Sequence, residues 1–328
     1  MPENIKASTA LTHIPLIDFG PFRSGNEQSK SEVARQIGLA CENIGFLYIS
    51  NHGVPQALID RTFEVSRRFF ALPQDILNAP DLIASVANPR GYVPFNSRKF
   101  KGAAVPDFRD GFHMETERSA DDPDYLTARG LLYPNRWPPD LPVFRATLLE
   151  YYGQLTLLAE HLLKAFALAL ELPEDYFREY FHKPLSSLAL RHYPSQTPTR
   201  PADEFGISPH KDEVAFTILA QDAVGGLQVR SGDDLWIDAP PIAGTFVINI
   251  GDTMARWSND RFASTWHRVV NRSSVERYSV PFFYRPNHEA LIECLPSCRS
   301  ASNPPRYEPV RVGEHAIGRL QRDWTEKK

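Results

Sequence analysis

Ser208-Pro209-His210-Lys211-Asp212 opens a stretch that continues through Ala215-Phe216-Thr217-Ile218-Leu219-Ala220, Val224-Gly225-Gly226-Leu227-Gln228-Val229 and Thr245-Phe246-Val247-Ile248-Asn249-Ile250. It closes on Thr265-Trp266-His267-Arg268-Val269-Val270-Asn271 and Arg277-Tyr278-Ser279-Val280-Pro281-Phe282-Phe283-Tyr284. Short apolar runs broken by Gly, Pro and Asp at about ten-residue spacing predict a sandwich or barrel, not a parallel α/β sheet. Gly225 and Gly226 predict a hairpin turn, and eight or so strands of this kind make a jelly roll.

Only Lys211 separates His210 from Asp212, so in extended backbone both side chains leave the same face and can share one ion. His267 follows 55 positions after Asp212. Two imidazoles and one carboxylate, with coordination positions left open, suit non-haem Fe(II) and oxygen chemistry. For an isolated motif the alternative is an ordinary His-Lys-Asp turn and an unrelated histidine. Zinc is chemically possible on the same ligands, but hydrolytic zinc calls for a nearby general base that the sequence does not identify. Arg277 and Ser279 alternate on one strand and point the same way; a guanidinium fork beside a hydroxyl is a carboxylate grip.

On these residues the chain resembles the iron(II)/2-oxoglutarate-dependent dioxygenases of the isopenicillin N synthase-like family. The resemblance is carried by His210-Lys211-Asp212, Gln221-Asp222, Val224 to Val229, Asn249-Ile250-Gly251-Asp252, His267 to Asn271 and Arg277-Tyr278-Ser279. It extends outward to Ile14-Pro15-Leu16-Ile17-Asp18-Phe19, Ile44 to Pro55, Arg68-Phe69-Phe70, Leu72-Pro73, Gly91-Tyr92, Asn135-Arg136-Trp137-Pro138 and Tyr307-Glu308-Pro309, so it covers nearly the whole chain in order.

The resemblance implies that His210, Asp212 and His267 hold Fe(II) and carry the catalysis, with 2-oxoglutarate as co-substrate and O2 as oxidant. It implies that Arg277 and Ser279 grip the far carboxylate of 2-oxoglutarate and that Tyr193 helps hold it. Asn249 is a further candidate there, with tying strands together as its alternative. The chain departs from the family at Arg191, where an asparagine is usual; Arg191 either attracts a carboxylate into the pocket or pairs with an acid in its wall. Candidate substrate-lining residues are Arg191, Tyr92, Phe95, Phe108, Arg109, Phe112, Met114, Phe283 and Tyr284, a mixture suggesting a small, partly aromatic or apolar molecule with an acidic group. The implied reaction hydroxylates, desaturates or cyclises a small organic molecule of secondary or specialised metabolism, releasing succinate and CO2. The alternatives are an isopenicillin N synthase-type Fe(II) oxidase that uses no 2-oxoglutarate and a non-catalytic jelly-roll binding protein.

The 328 residues, 42% hydrophobic and 23% charged, are long enough for one sizeable core. A formal charge of −4 gives no electrostatic reason to expect a nucleic-acid partner. No apolar run reaches membrane-spanning length and residues 1–13 lack signal-peptide character, so a cytoplasmic protein is expected, as monomer or homodimer, with no membrane partner. Cys41, Cys294 and Cys298 fit neither a zinc site nor a disulfide framework, and free thiols fit a reducing compartment.

Met1 to Leu11 reads as a disordered lead and Ile14 to Phe19 as a strand. Ser29 to Ile44 and Pro55 to Phe70 read as amphipathic helices around a strand at Phe46 to Ser50. Residues 71–138 read as an irregular region partly covering the jelly-roll mouth. Leu141 to Leu172 is a long bracing helix, Glu174 to Phe181 a short one, and Ser187 to Pro194 a strand entering the core. The predicted fold is mainly β with flanking helices: a double-stranded β-helix core with an N-terminal α/β elaboration and a long bracing helix. Residues 1–328 read as one oxygenase domain, with 1–140 as N-terminal helical and loop elaboration and 187–286 as the jelly-roll core carrying the metal site.

Overall fold

The computed structural model describes residues 13–85, 88–97, 105–117, 133–196, 204–270 and 273–314. The expected disordered lead lies outside these residues, as does part of the segment 71–138. The chain opens with β1 (Leu16–Asp18), α1 (Gly20–Ser24) and α2 (Glu27–Asn43). Asn26 caps α2 by accepting from the Ser29 amide at 3.0 Å, which satisfies one of the donors a helix start leaves open. Next come β2 (Phe46–Ser50), α3 (Gln56–Phe70), α4 (Gln74–Leu77), β3 (Gly91–Val93) and β4 (Asp110–Glu115). The 28-residue α5 (Pro142–Ala169) leads to β5 (Ser187–Tyr193), β6 (Ile207–His210), β7 (Phe216–Gln221), β8 (Leu227–Arg230) and β9 (Trp236–Asp238). Then come β10 (Phe246–Ile250), α6 (Asp252–Trp257), β11 (His267–Val269) and β12 (Arg277–Tyr284), and beyond them β13 (Leu291–Ile292) pairs with β14 (Val310–Arg311) as a separate two-stranded sheet.

The strands form an eight-stranded sheet in the order β1-β2-β10-β7-β12-β5-β4-β3 and a four-stranded sheet in the order β6-β11-β8-β9. This is the double-stranded β-helix architecture expected, with helices packed on the outer face of the larger sheet. Alternation assigns each residue of that sheet to a layer. On β12, Tyr278, Val280, Phe282 and Tyr284 enter the main hydrophobic core against the helices, and the intervening Arg277, Ser279, Pro281 and Phe283 face a cavity between the sheets. A second, smaller apolar cluster, including Phe46, Val229, Val247 and Val269, closes the space between the sheets beside that cavity.

The long helix braces the fold as expected, but mostly at one remove. Its stripe of Phe144, Leu148, Tyr151, Leu155, Leu162 and Phe166 is fully or almost fully buried, chiefly against α2 and α3. It reaches the sheet through ring contacts of Phe166 with Phe216 at 5.1 Å and Tyr152 with Phe282 at 5.0 Å.

Three expectations need correction. Gly225 and Gly226 do adopt left-handed backbone, with φ of 84° and 96°, but the strands they join belong to different sheets; the turn is a crossover, and the hairpin is β8 to β9. The segment 71–138 is not only a covering loop, since β3 and β4 extend the larger sheet by pairing outward from β5. Glu174 to Phe181 yields only a 3₁₀ turn at Arg178–Tyr180, because Phe177, Tyr180 and Phe181 all turn their rings onto the buried Trp257. Among the described residues, no helix is long and apolar enough to cross a membrane.

Leu155 has no exposed surface at the centre of the helix layer. Leu155→Ala is expected to cost about 2–5 kcal/mol of stability in urea unfolding, with Fe(II) affinity measured at low denaturant unchanged.

Candidate metal centre

β6 and β11 pair so that His210 stands directly opposite His267, with ring centroids 4.2 Å apart. Asp212 lies just past the end of β6, and its carbonyl accepts from the Asp252 amide at 2.7 Å, which pins the turn to the start of α6. The two Nε2 atoms each lie 3.8 Å from Asp212 Oδ1, and one ligand atom from each residue falls within 4.8 Å of the other two.

Each side chain is oriented by what its other polar atom does. His210 Nδ1 meets the Ser208 carbonyl at 2.9 Å and His267 Nδ1 meets the Thr265 carbonyl at 3.1 Å. A carbonyl oxygen only accepts, so both Nδ1 atoms carry the proton and both Nε2 lone pairs are left for an ion. Asp212 Oδ2 accepts from Thr217 Oγ1 at 2.6 Å and from Asn249 Nδ2 at 2.8 Å, leaving Oδ1 for the same ion. Burial and the neighbouring His267 push the His210 pKa down to about 3, which keeps the ring neutral. Burial acts upward on Asp212, but His267 and His210 and the hydrogen bonds from Thr217 and Asn249 outweigh it and hold its pKa below the usual value. Two imidazoles and a carboxylate at this separation fit a divalent metal with open positions, and suit Fe(II).

The facing wall belongs to the larger sheet, where Arg277 pairs across the strands with Tyr193, and Ser279 with Arg191. Arg277 is fully buried; it donates to Gln221 Oε1 at 3.1 Å and to Ser279 Oγ at 3.4 Å, and its guanidinium sits 4.6 Å from the centre of the Tyr193 ring. Its Nε has no hydrogen-bond partner, and among the described residues no carboxylate forms an ion pair with it. A buried cation without a counter-anion is costly. A carboxylate entering this pocket would supply the missing counter-charge.

The cavity between metal site and wall has a volume of about 350 Å³. Of the residues expected there, Arg109, Arg191, Tyr193, Asn249, Arg277, Ser279 and Phe283 line it together with the three metal-site residues. Asn249 lines it while its amide is committed to Asp212.

Tyr92, Phe112, Met114 and Tyr284 do not line it; each lies in the core on the helix side, because each has the opposite strand parity to the lining residues. Phe108 packs edge-on against Phe95 at 4.5 Å, and neither ring lines the cavity. The same parity puts His113, Glu115 and Arg285 on the lining, where sequence reading did not place them. Thr217 and Gln221, which orient Asp212 and Arg277, also went unassigned, although alternation along β7 groups them on the cavity side.

Residues 14–140 match the family described as the N-terminal region of the non-haem dioxygenase in morphine synthesis, and residues 184–286 match the 2OG-Fe(II) oxygenase superfamily. The chain is 36% identical to a 2-oxoglutarate-Fe(II) type oxidoreductase, hxnY, of Emericella nidulans, over 96% of this chain and 91% of that one. A 1-aminocyclopropane-1-carboxylate oxidase of Dictyostelium mucoroides is 31% identical over 97% of this chain and 98% of its own. Among solved structures, a full-length Neurospora crassa protein in complex with alpha-KG and thymine superposes with a TM-score of 0.84 at 31% identity, covering 95% of this chain and 97% of that one.

Removing either hydrogen bond to Asp212 Oδ2, by Thr217→Val or Asn249→Ala, is expected to weaken metal binding by about tenfold to a hundredfold without unfolding the protein. Anaerobic calorimetric titration with Fe(II), beside a thermal melt, measures both.

Proposed function

Because this chain belongs to the 2OG-Fe(II) oxygenase superfamily, we propose that its cavity oxidises a small organic molecule on an iron held by His210, Asp212 and His267. The observation that carries the residue roles is the pairing of an oriented two-histidine, one-carboxylate cluster with a buried, counter-ion-free Arg277 across one cavity. When bound, the iron and 2-oxoglutarate supply the oxygen chemistry: substrate C–H, O2 and 2-oxoglutarate become oxidised substrate, succinate and CO2.

The chain's own residues hold, orient and seclude. Arg277 Nη1 and Nη2, freed from Ser279 and Gln221 as needed, donate to the distal carboxylate, and Ser279 Oγ donates alongside. Tyr193 supports the guanidinium from beneath with its ring face and brings its hydroxyl to 3.5 Å from Ser279 Oγ. Asn249 and Thr217 fix the carboxylate plane of Asp212, so that Oδ1 keeps one orientation towards the metal. Phe46 packs its ring against His267 at 5.3 Å and keeps water from that side of the site. Arg109, Arg191 and Phe283 offer the substrate polar and apolar wall.

We read residues 14–140 and 184–286 as parts of one oxygenase domain, with 187–286 as its core, in keeping with the two family matches. The three cysteines are free and buried, which supports a reducing, cytoplasmic setting.

Arg277→Ala is expected to raise the 2-oxoglutarate concentration needed for half-saturation by a hundredfold or more, roughly the loss of a charge-assisted pair. Asp212→Ala is expected to abolish succinate release while leaving the melting profile close to wild type. Both are read by anaerobic titration with Fe(II) and 2-oxoglutarate, following the visible charge-transfer band of a chelated 2-oxo acid, and by succinate assay. A normal band in Arg277→Ala would remove the co-substrate assignment, and succinate release by Asp212→Ala would remove the metal assignment.

A further inference from the structure

Five arginines line the cavity: Arg90, Arg109, Arg191, Arg277 and Arg285. Four have partners in hand or in prospect. Arg90 is ion-paired with Glu115, and Arg109 lies 3.5 Å from Asp107, whose other oxygen accepts from the Ser208 amide. Arg191 donates to His113, and Arg277 waits on the co-substrate.

Arg285 differs. Among the described residues it makes no hydrogen bond and no ion pair. The acids it senses are Glu115, already held by Arg90, and Asp212, committed to the metal, while the Arg90 charge opposes it.

Strand parity explains why Arg285 faces the cavity. Arg277, Ser279, Pro281 and Phe283 line it from β12, and Arg285 is the next residue of that parity, one position beyond the strand end. Its backbone is anchored there, because the neighbouring Pro286 carbonyl accepts from the Leu185 amide at 3.4 Å. Leu185, Pro281 and Phe283 give the same part of the cavity an apolar surface. Loading the site leaves the charge of Arg285 unanswered, since the double positive charge of Fe(II) is cancelled by the double negative charge of 2-oxoglutarate.

We propose that Arg285 anchors the substrate by its carboxylate, so that the substrate of this oxygenase is a small organic carboxylate with an apolar body lying on Leu185, Pro281 and Phe283. The assignment rests on the oxygenase function above and adds the substrate class and a specificity-determining residue. A guanidinium fork matches the two oxygens of a carboxylate, and a neutral amide of the same shape offers one acceptor and two donors, the wrong pattern for Arg. The cavity of about 350 Å³ also admits 2-oxoglutarate, which limits the substrate to a small body.

The test uses the full chain under anaerobic conditions with Fe(II) and 2-oxoglutarate bound. Benzoate, phenylacetate and 3-phenylpropionate, the primary amide of each, and phenyl phosphate are titrated by calorimetry. At least one carboxylate is expected to bind saturably, with its amide weaker by about tenfold or more. Arg285→Gln is expected to bring the carboxylate down to the level of the amide while leaving 2-oxoglutarate affinity unchanged. Arg285→Lys, which keeps the charge and loses the fork, is expected to weaken the carboxylate severalfold and leave the amide unaltered, and it decides the matter should Arg285→Gln not fold. The proposal is overturned if no probe binds, if amides bind as well as carboxylates, if phenyl phosphate is preferred, or if Arg285→Gln keeps the carboxylate preference. Failure of the wild-type protein to bind 2-oxoglutarate in an Arg277-dependent way would instead overturn the oxygenase assignment beneath it.

Discussion

The site depends on the two-residue period of β12, which has the helices on one side and the cavity on the other. Tyr278, Val280, Phe282 and Tyr284 give the larger sheet its grip on the helix layer, while Arg277, Ser279 and Phe283, with Arg285 just beyond, furnish the cavity. Neither set can move without the other, because a slip of one residue would exchange them wholesale. That exchange would bury arginines among aromatic rings and turn core side chains into the iron cavity. The apolar parity therefore does for the polar parity what a scaffold does for a site: its packing energy holds the position of groups that contribute little to stability themselves.

The metal cluster shows a second form of the same economy. Each ligand side chain has two polar atoms, and in each the one not aimed at the ion is tied: the histidines to carbonyls two residues upstream, Asp212 to Thr217 and Asn249. Thr217 sits on β7 and Asn249 on β10, neighbouring strands of the larger sheet, whereas the histidines belong to the smaller one. The carboxylate thus joins the two sheets, and the ion binds at their seam. A metal there adds a crosslink between sheets that also meet through the small apolar cluster around Phe46 and Val229.

The His-Asp-His cluster and the shared cavity face of Arg277 and Ser279 were legible because their spacing is local in sequence: one residue separates His210 from Asp212 and one separates Arg277 from Ser279. Strand positions in the core were equally legible from apolar runs. What could not be read was connectivity. Gly225-Gly226 has the backbone of a tight turn whether it joins strands of one sheet or two, and only pairing with β11 and β10 distinguishes the cases. From sequence the aromatic residues of β3 and β4 read as lining, because they lie in an irregular region where no parity can be assigned. Once those segments pair with β5, register sends Phe112 and Met114 to the core and His113 and Glu115 to the cavity. Arg285 followed from the alternation already used for Arg277 and Ser279, but it lies past the strand and before a proline, where a periodic reading stops.

Five arginines line one cavity between apolar layers, and a buried cation is costly unless an acid or hydrogen bonds answer it. Two of the charges face buried acids: Arg90 is paired with Glu115, and Arg109 lies 3.5 Å from Asp107. Among the described residues, Arg277 donates only to neutral groups, Gln221 and Ser279. On the reading proposed above, Arg90 and Arg109, paired with acids, belong to the wall, Arg277, bonded to Gln221 and Ser279, to the co-substrate, and Arg285, which makes no ion pair among the described residues, to the substrate. On that reading one physical criterion, how far each guanidinium's charge is already answered, divides the cavity among wall, co-substrate and substrate.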